Sequence, residues 1–179
     1  MEQTERQVAT LAGGCFWCLE AVFEQVPGVL SVVSGYTGGM MPDPDYEAVC
    51  GGQTGHAEAV RIEFDPLRIS FRQLLEIFFS IHDPTTPNRQ GNDVGTQYRS
   101  VIFCHDEQQR TETEAMIASL DASHVWPAPI VTEVLPETVF YPAEDYHQHY
   151  YAQHPEQGYC RFVIAPKLEK LNKLFSGRQ

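Results

Sequence analysis

The chain predicts an α+β domain in which a mixed sheet is covered mainly on one face by helices. Three observations carry this. Apolar patterns follow one another as strand, helix, strand, loop, strand, helix, loop, strand, helix, strand. One of those strands alternates strictly, the mark of a strand with a single core-facing side. Apart from two long polar loops the connections are short, which keeps consecutive elements neighbours in space.

With 179 residues and 42% hydrophobic content, the chain makes one ordinary domain spanning 1–179, able to bury about two-thirds of its unfolded surface without staples. No stretch approaches the ~20 apolar residues of a membrane span. Residues 1 to 12 lack a basic start followed by an apolar core, so a cytoplasmic protein is expected, and separately a monomer. Five cysteines, at 15, 18, 50, 104 and 160, are odd in number and irregular in spacing. They make no disulfide framework and point to redox or metal chemistry. An excess of acid, 24 Asp+Glu against 12 Lys+Arg, argues against nucleic-acid binding.

Arg6 to Ala12 reads as the first strand. Gly13-Gly14 turns the chain, and Phe16, Leu19, Phe23 and Val26 recur at helical spacing until Pro27-Gly28 ends the pattern. Cys15 therefore sits at a helix start, where unpaired N–H groups and the positive end of the dipole favour the thiolate, the form that attacks electrophiles. Free cysteines are often inert and buried, but two glycines and Phe16-Trp17 beside this one make it a candidate nucleophile. Cys18 follows one turn on. The pair also reads as Cys-x-x-Cys, compatible with disulfide exchange or half a zinc site.

Val29 to Ser34 is a second strand. From Gly35 to Ala57 periodicity vanishes, and a loop of that length is usually functional or disordered. Tyr46, Cys50 and His56 give this one contacts to make. Glu58 to Phe64 alternates, with Val60, Ile62 and Phe64 on one face and Ala59, Arg61 and Glu63 on the other. Glu58 has the parity of the core. Desolvation raises a carboxyl's pKa and keeps its proton on, which makes Glu58 a candidate acid, against the plainer alternative of an end residue turned back to water.

Ser70-Phe71-Arg72-Gln73 is a capping box that opens a helix through Leu74, Leu75, Ile77, Phe78 and Ile81. His82 to Arg99 is a second irregular loop, and the two polar loops are expected to line one site. Ser100 to Cys104 is a strand, with Cys104 read as packing; Asp106 to Leu120 is a helix, and Ile130 to Leu135 is the last strand. Phe140 to Tyr151 is rich in aromatic rings, and its histidines, 147 and 149, do not share a helical face, so packing outweighs a metal site. Gln157-Gly158-Tyr159-Cys160, after Pro155, reads as an extended segment that can carry a thiol across the surface. The chain ends in a helix with Leu168, Leu171, Leu174 and Phe175 on one side and Lys167, Lys170 and Lys173 largely opposite. These elements together describe a ferredoxin-like two-layer α+β fold with long functional loops.

Gly13-Gly14-Cys15-Phe16-Trp17 also resembles the signature of the A-type peptide methionine sulfoxide reductases. The likeness runs from about Leu11 to Phe103, through Gly35-Tyr36-Thr37-Gly38-Gly39, Gly55-His56-Ala57-Glu58-Ala59-Val60, His82-Asp83-Pro84, Gly91-Asn92-Asp93 and Gly95-Thr96-Gln97-Tyr98-Arg99, and returns near Tyr146 and Cys160. It implies reduction of the S epimer of methionine sulfoxide, free or in proteins, without a cofactor and with thioredoxin as reductant. By the same resemblance Cys15 is the nucleophile and Glu58 the proton donor. Tyr46 and Tyr98 place hydroxyls on the sulfoxide oxygen, Asp93 is a supporting polar group, and Phe16 and Trp17 form an apolar cradle for the substrate methyl.

The chemistry asks for such parts on its own account. A sulfoxide sulfur is a poor electrophile until its oxygen is protonated or strongly hydrogen-bonded. Attack by Cys15 would release methionine and leave a sulfenic acid, with which a second thiol would condense. Cys18 stands where the commonest family pattern has glycine. Cys160, in a segment around 155–166 that resembles the family's mobile recycling tail, is expected to be that resolving thiol, ahead of Cys18. Two rival readings use fewer of these residues: a thioredoxin-like dithiol oxidoreductase built on Cys15 and Cys18, and a non-enzymatic zinc module built on the same pair with two histidines.

Overall fold

The computed structural model describes residues 6–176 of the chain, and their side chains as far as 172. Its elements in chain order are β1 (Gln7–Ala12), α1 (Phe16–Glu24), β2 (Val29–Thr37), α2 (Tyr46–Cys50), β3 (Ala57–Phe64), α3 (Phe71–Ile81), β4 (Arg89–Gln90), β5 (Asp93–Val94), β6 (Val101–Cys104), α4 (Glu107–Ala122), β7 (Glu133–Pro136), β8 (Tyr141–Pro142), α5 (Tyr150–Gln153) and α6 (Ala165–Ser176). Among the described residues the main sheet runs β7-β6-β1-β3-β2-β8, with β7 parallel to β6 and every other neighbour antiparallel. The mixed sheet is the one the sequence predicts.

Strand parity decides the layers. Val60, Ile62 and Phe64 of β3 join Leu11, Ile102 and the buried faces of α1 and α3 in one core, each such side chain contributing about 1.5–3 kcal/mol. The opposite parity, Ala57 and Ala59, meets Ala12, Val101 and Phe103 under Phe140 in a second, smaller cluster. Space there is tight. A Cβ at Gly35 would stand 2.4 Å from the Phe140 ring, so only glycine lets the strand pass beneath it. At the start of α3, Ser70 Oγ accepts from Gln73 N at 3.1 Å while Gln73 Oε1 accepts from Ser70 N at 2.9 Å, completing the expected capping box.

Five local expectations are corrected. β2 continues to Thr37, because its ladder on β3 persists to Thr37↔Ala57, and the first long loop contains α2, whose N-cap Asp45 accepts from Ala48 N at 2.8 Å. The second loop holds the β4–β5 hairpin. The last long strand starts at Glu133, since Ile130 N donates to Asp121 instead of to a ladder. Finally, Gln157 to Cys160 is not extended: Arg161 N donates to Gln157 O, and a helical turn continues through the wide turn Cys160–Ile164 into α6. Cys160, Ile164 and Leu171 recur at close to helical spacing and are buried in the main core. The sides assigned to Lys173, Leu174 and Phe175 lie outside the described side chains.

Register gathers the functional segments at one end of the sheet. Leu11 pairs with Val60 and Ala12 with Val101, so the end of β1 lies beside the start of β3 and of β6, and Tyr36 of β2 faces Glu58.

Candidate active site

Cys15 is the N-cap residue of α1, reached through a turn at Gly14 whose φ of 94° suits glycine. Its own side chain makes no capping bond. The first helical N–H, that of Phe16, is satisfied from across the sheet end: it donates to Glu58 Oε1 at 3.2 Å. Glu58 is fully buried, as its parity predicts, and its Oε2 has no hydrogen-bond partner among the described residues. Burial holds this carboxyl up at about 8; the Phe16 N–H offsets it in part, and the charges of Asp93 and Cys18 add to the rise. At neutral pH Glu58 therefore carries its proton.

Cys18 lies one turn into α1 and shares a thiol hydrogen bond with Cys15. Burial first, then donation to Cys18 and the nearby Glu58 charge, pushes Cys15 well above the usual thiol range. Cys18 moves the other way, to about 7: the bond from Cys15 lowers it, burial opposes, and the Lys167 ammonium and Tyr159 hydroxyl lower it further. The negative charge of the pair thus rests on Cys18, with the Cys15 proton pointed at it.

The two polar loops do converge here. Tyr46 opens α2 and Tyr98 closes the turn before β6; both are half-buried and both feel the charge of Glu58. Burial raises each phenol above its ordinary range, so each remains a donor. Asp93, on β5, accepts from Tyr159 Oη at 2.7 Å, and the same hydroxyl is 3.5 Å from Cys18 Sγ. Gln90 of β4 receives Asp83 N on its Oε1 at 2.9 Å, which ties the second loop down next to the glycine turn.

Phe16 is buried against Tyr36 and His147. Half-buried Trp17 stacks on Tyr150 at 3.7 Å, meets Tyr159 edge-on, and donates Nε1–H to His147 Nδ1 at 3.0 Å. Trp17 can only donate, so His147 Nδ1 accepts and the neutral ring keeps its proton on Nε2, a buried atom with no partner among the described residues. His147, Tyr150 and Tyr159 are functional neighbours that the sequence reading passed over. The aromatic density of 140–151 was a signal of packing but gave no sign of what the rings would surround.

The segment bearing His147 is held by buried polar contacts. Gln148 bonds Ser34 N, Ser34 O and Ala143 O, and Glu20 accepts from Ser34 Oγ and His149 N. Cys160 is fully buried and close enough to Cys18 to raise its pKa, although burial is the larger cause. Cys50, exposed, bonds Tyr46. Cys104 packs in the core, as expected. The zinc reading would need two histidines beside Cys15 and Cys18; among the described residues the one group of three ligand-type side chains within reach of one another is Glu20, Glu24 and His149.

The model of a family described as peptide methionine sulfoxide reductase matches residues 7–179. A peptide methionine sulfoxide reductase MsrA of Polynucleobacter asymbioticus is 59% identical over 167 residues, covering 93% of this chain and 88% of that protein. Among solved structures, reduced Mxr1 from Saccharomyces cerevisiae superposes with a TM-score of 0.82 at 35% identity, over 89% of this chain and 91% of that one. Mxr1 in complex with Trx2 gives a TM-score of 0.59 at 26% identity, over 83% and 87%.

Proposed function

This chain belongs to the peptide methionine sulfoxide reductase family, and from that premise we propose that it reduces the S epimer of methionine sulfoxide, free or in proteins, to methionine and is recycled by thioredoxin. One observation carries the site assignment. A buried, protonated carboxyl with a free oxygen stands across the first turn of α1 from a cysteine.

The sulfoxide oxygen takes the place next to Glu58 Oε2, with the Tyr46 and Tyr98 hydroxyls as further donors, and the methyl group rests on Phe16 and Trp17. Glu58 gives its proton to the oxygen as the Cys15 sulfur attacks, and the Cys15 proton passes to the Cys18 thiolate with which it is already hydrogen-bonded. That attack bonds the Cys15 sulfur to the substrate sulfur. The hydroxyl then moves onto the Cys15 sulfur as both the S–S and the S–O bonds to the substrate sulfur break; methionine leaves with the electron pair back on its sulfur, and Cys15 is left two electrons oxidised as sulfenic acid. Cys18 then attacks that sulfur; its proton leaves with the hydroxyl as water, and a Cys15–Cys18 disulfide remains for thioredoxin to reduce. Asp93 acts through Tyr159, whose hydroxyl it holds against Cys18. We give Cys18 precedence over Cys160 as resolving thiol because Cys160 would first need the 155–166 segment to open. The dithiol-oxidoreductase alternative leaves Glu58 and both tyrosines unused.

The same proposal treats the chain as one catalytic domain, since the site draws on segments from Cys15 to Tyr159. A ferredoxin-like core is supported by the order β6-β1-β3-β2 and the chain order β1-α1-β2-β3-α3-β6. Unpaired thiols fit a reducing compartment such as the cytoplasm; among the described residues no helix is long and apolar enough to cross a membrane. The test is turnover of separated methionine sulfoxide epimers with dithiothreitol: the S epimer is reduced and the R epimer is not. Equal turnover of both, or of neither, refutes the assignment.

A further inference from the structure

We propose that the reductant attacks the Cys15 sulfur, not Cys18, and reaches it through a cleft whose walls are separate from the residues around the sulfoxide. The inference rests on the reductase reading with a Cys15–Cys18 disulfide, and adds which sulfur is attacked and from which side. The cleft encloses about 520 Å³ between the β4–β5 hairpin and the turn that leads into α6. Cys15, Asp93, Tyr159, Phe162 and Lys167 are among its walls, whereas Glu58, Tyr46, Tyr98, Phe16 and Trp17 are not. One sulfur thus has two approaches: the sulfoxide takes the side of Glu58, and the cleft leaves the other side open.

Access and leaving group agree on Cys15. It is 9% exposed and lines the cleft; Cys18 is 1% exposed and does not. A thiolate entering there bonds to Cys15 Sγ as the Cys15–Cys18 bond breaks, and the electron pair leaves on Cys18 as thiolate. Tyr159 Oη, 3.5 Å from Cys18 Sγ, and the Lys167 ammonium both favour that charge, so Cys18 is the better leaving group. Attack on Cys18 would instead expel Cys15, whose thiol burial holds well above the usual range. The reductant's second thiol then attacks the reductant sulfur of the mixed disulfide. The Cys15 sulfur departs with the electron pair and takes that thiol's proton. The reductant is left oxidised by two electrons as a disulfide, and the enzyme returns to a Cys15 thiol beside a Cys18 thiolate. A dithiol completes both steps without dissociating. Phe162, 77% exposed at the mouth of the cleft beside Arg161, offers the apolar contact that a protein dithiol of the thioredoxin kind would cover.

The experiment oxidises the native enzyme with one equivalent of methionine S-sulfoxide, maps its disulfide, and adds a thioredoxin whose second active-site cysteine is replaced by serine. After an acid quench and alkylation, peptide mass mapping finds thioredoxin joined to Cys15 and Cys18 alkylated. Thioredoxin joined to Cys18 or to Cys160, or no adduct from enzyme that carries the Cys15–Cys18 bond, overturns the proposal. Phe162→Asp lowers the ratio of thioredoxin-driven to dithiothreitol-driven kcat/KM about tenfold, as loss of an aromatic anchor at an interface does. An unchanged ratio, whether both rates fall together or neither does, removes the cleft as the entrance. A Cys15–Cys160 bridge in the oxidised native enzyme defeats the proposal and leaves the reductase reading standing. Failure of the native enzyme to form methionine with dithiothreitol would strike the reductase reading instead.

Discussion

Glu58→Gln removes an acid while keeping its shape and an acceptor for Phe16 N–H, so it isolates the proton. Burial holds the Glu58 carboxyl at about 8 against an ordinary 4.5. Loss of a general acid costs ~10² or more in rate, to be read as methionine formed in a rapid-quench single turnover with the S epimer. In the native enzyme that rate falls as pH rises through about 8, as Glu58 loses its proton and its charge opposes that of Cys15; in the variant this limb is missing. Stability carries the same signature. Between pH 4.5 and about 8 the folded state keeps a proton that the unfolded chain has released, so the contribution is whole below pH 4.5 and declines as pH rises. At ~1.36 kcal/mol per pH unit the interval is worth at most ~5 kcal/mol. Urea unfolding from pH 5 to 8.5 should therefore show native stability dropping relative to Glu58→Gln. Parallel stability curves, or an unchanged single-turnover rate, would refute the buried acid.

Tyr46→Phe and Tyr98→Phe each slow the same single turnover less than Glu58→Gln does, because one phenol covers for the other; a larger effect from either would move the main donor to that ring. Cys18→Ser still releases one methionine per enzyme but accumulates a dimedone-trappable sulfenic acid and loses thioredoxin-driven turnover, while Cys160→Ser keeps it. The reverse pattern would return the resolving role to Cys160. Lys167→Met shifts release of the first methionine, and with it formation of the Cys15–Cys18 disulfide, to higher pH, since an ammonium that lowers the Cys18 thiol is gone; rapid-quench methionine and stopped-flow detection of the disulfide at several pH values decide it, and an unshifted profile would remove Cys18 as the proton acceptor.

Much of the site could be read directly from the chain, and the residues show why. Glu58 was legible because its neighbours Val60, Ile62 and Phe64 fix the parity of a strand with one core face. Cys15 was legible because two glycines and a helical pattern fix the start of a helix. His147, Tyr150 and Tyr159 were not: they surround Trp17, and such contacts join residues 130 or more positions apart. The extended reading of Gln157 to Cys160 failed for a related reason. Pro155 and Gly158 are local breaker signals, yet docking of Cys160 and Ile164 into the core outweighs them and winds the segment into a helix. α2 escaped notice because five residues with one N-cap give no periodicity.

The arrangement divides the reaction between two sides of a single sulfur. In the reaction we propose, Glu58, raised by burial, supplies a proton to oxygen on one side, and Cys18, lowered by Cys15, Lys167 and Tyr159, first receives a proton and later attacks on the other. The two demands pull pH in opposite directions. Protonated Glu58 is lost above about 8, while thiolate at Cys18 is lost below about 7. A raised Glu58 and a lowered Cys18 bring the two working forms together near neutral pH, with activity declining on the alkaline side as Glu58 loses its proton and on the acid side as Cys18 gains one. Neither value would arise from the residues alone, since an exposed glutamate and an exposed cysteine titrate in the reverse order. The inversion comes from the sheet end and the helix start being packed against each other, so the fold contributes to the chemistry by setting two proton affinities on either side of Cys15.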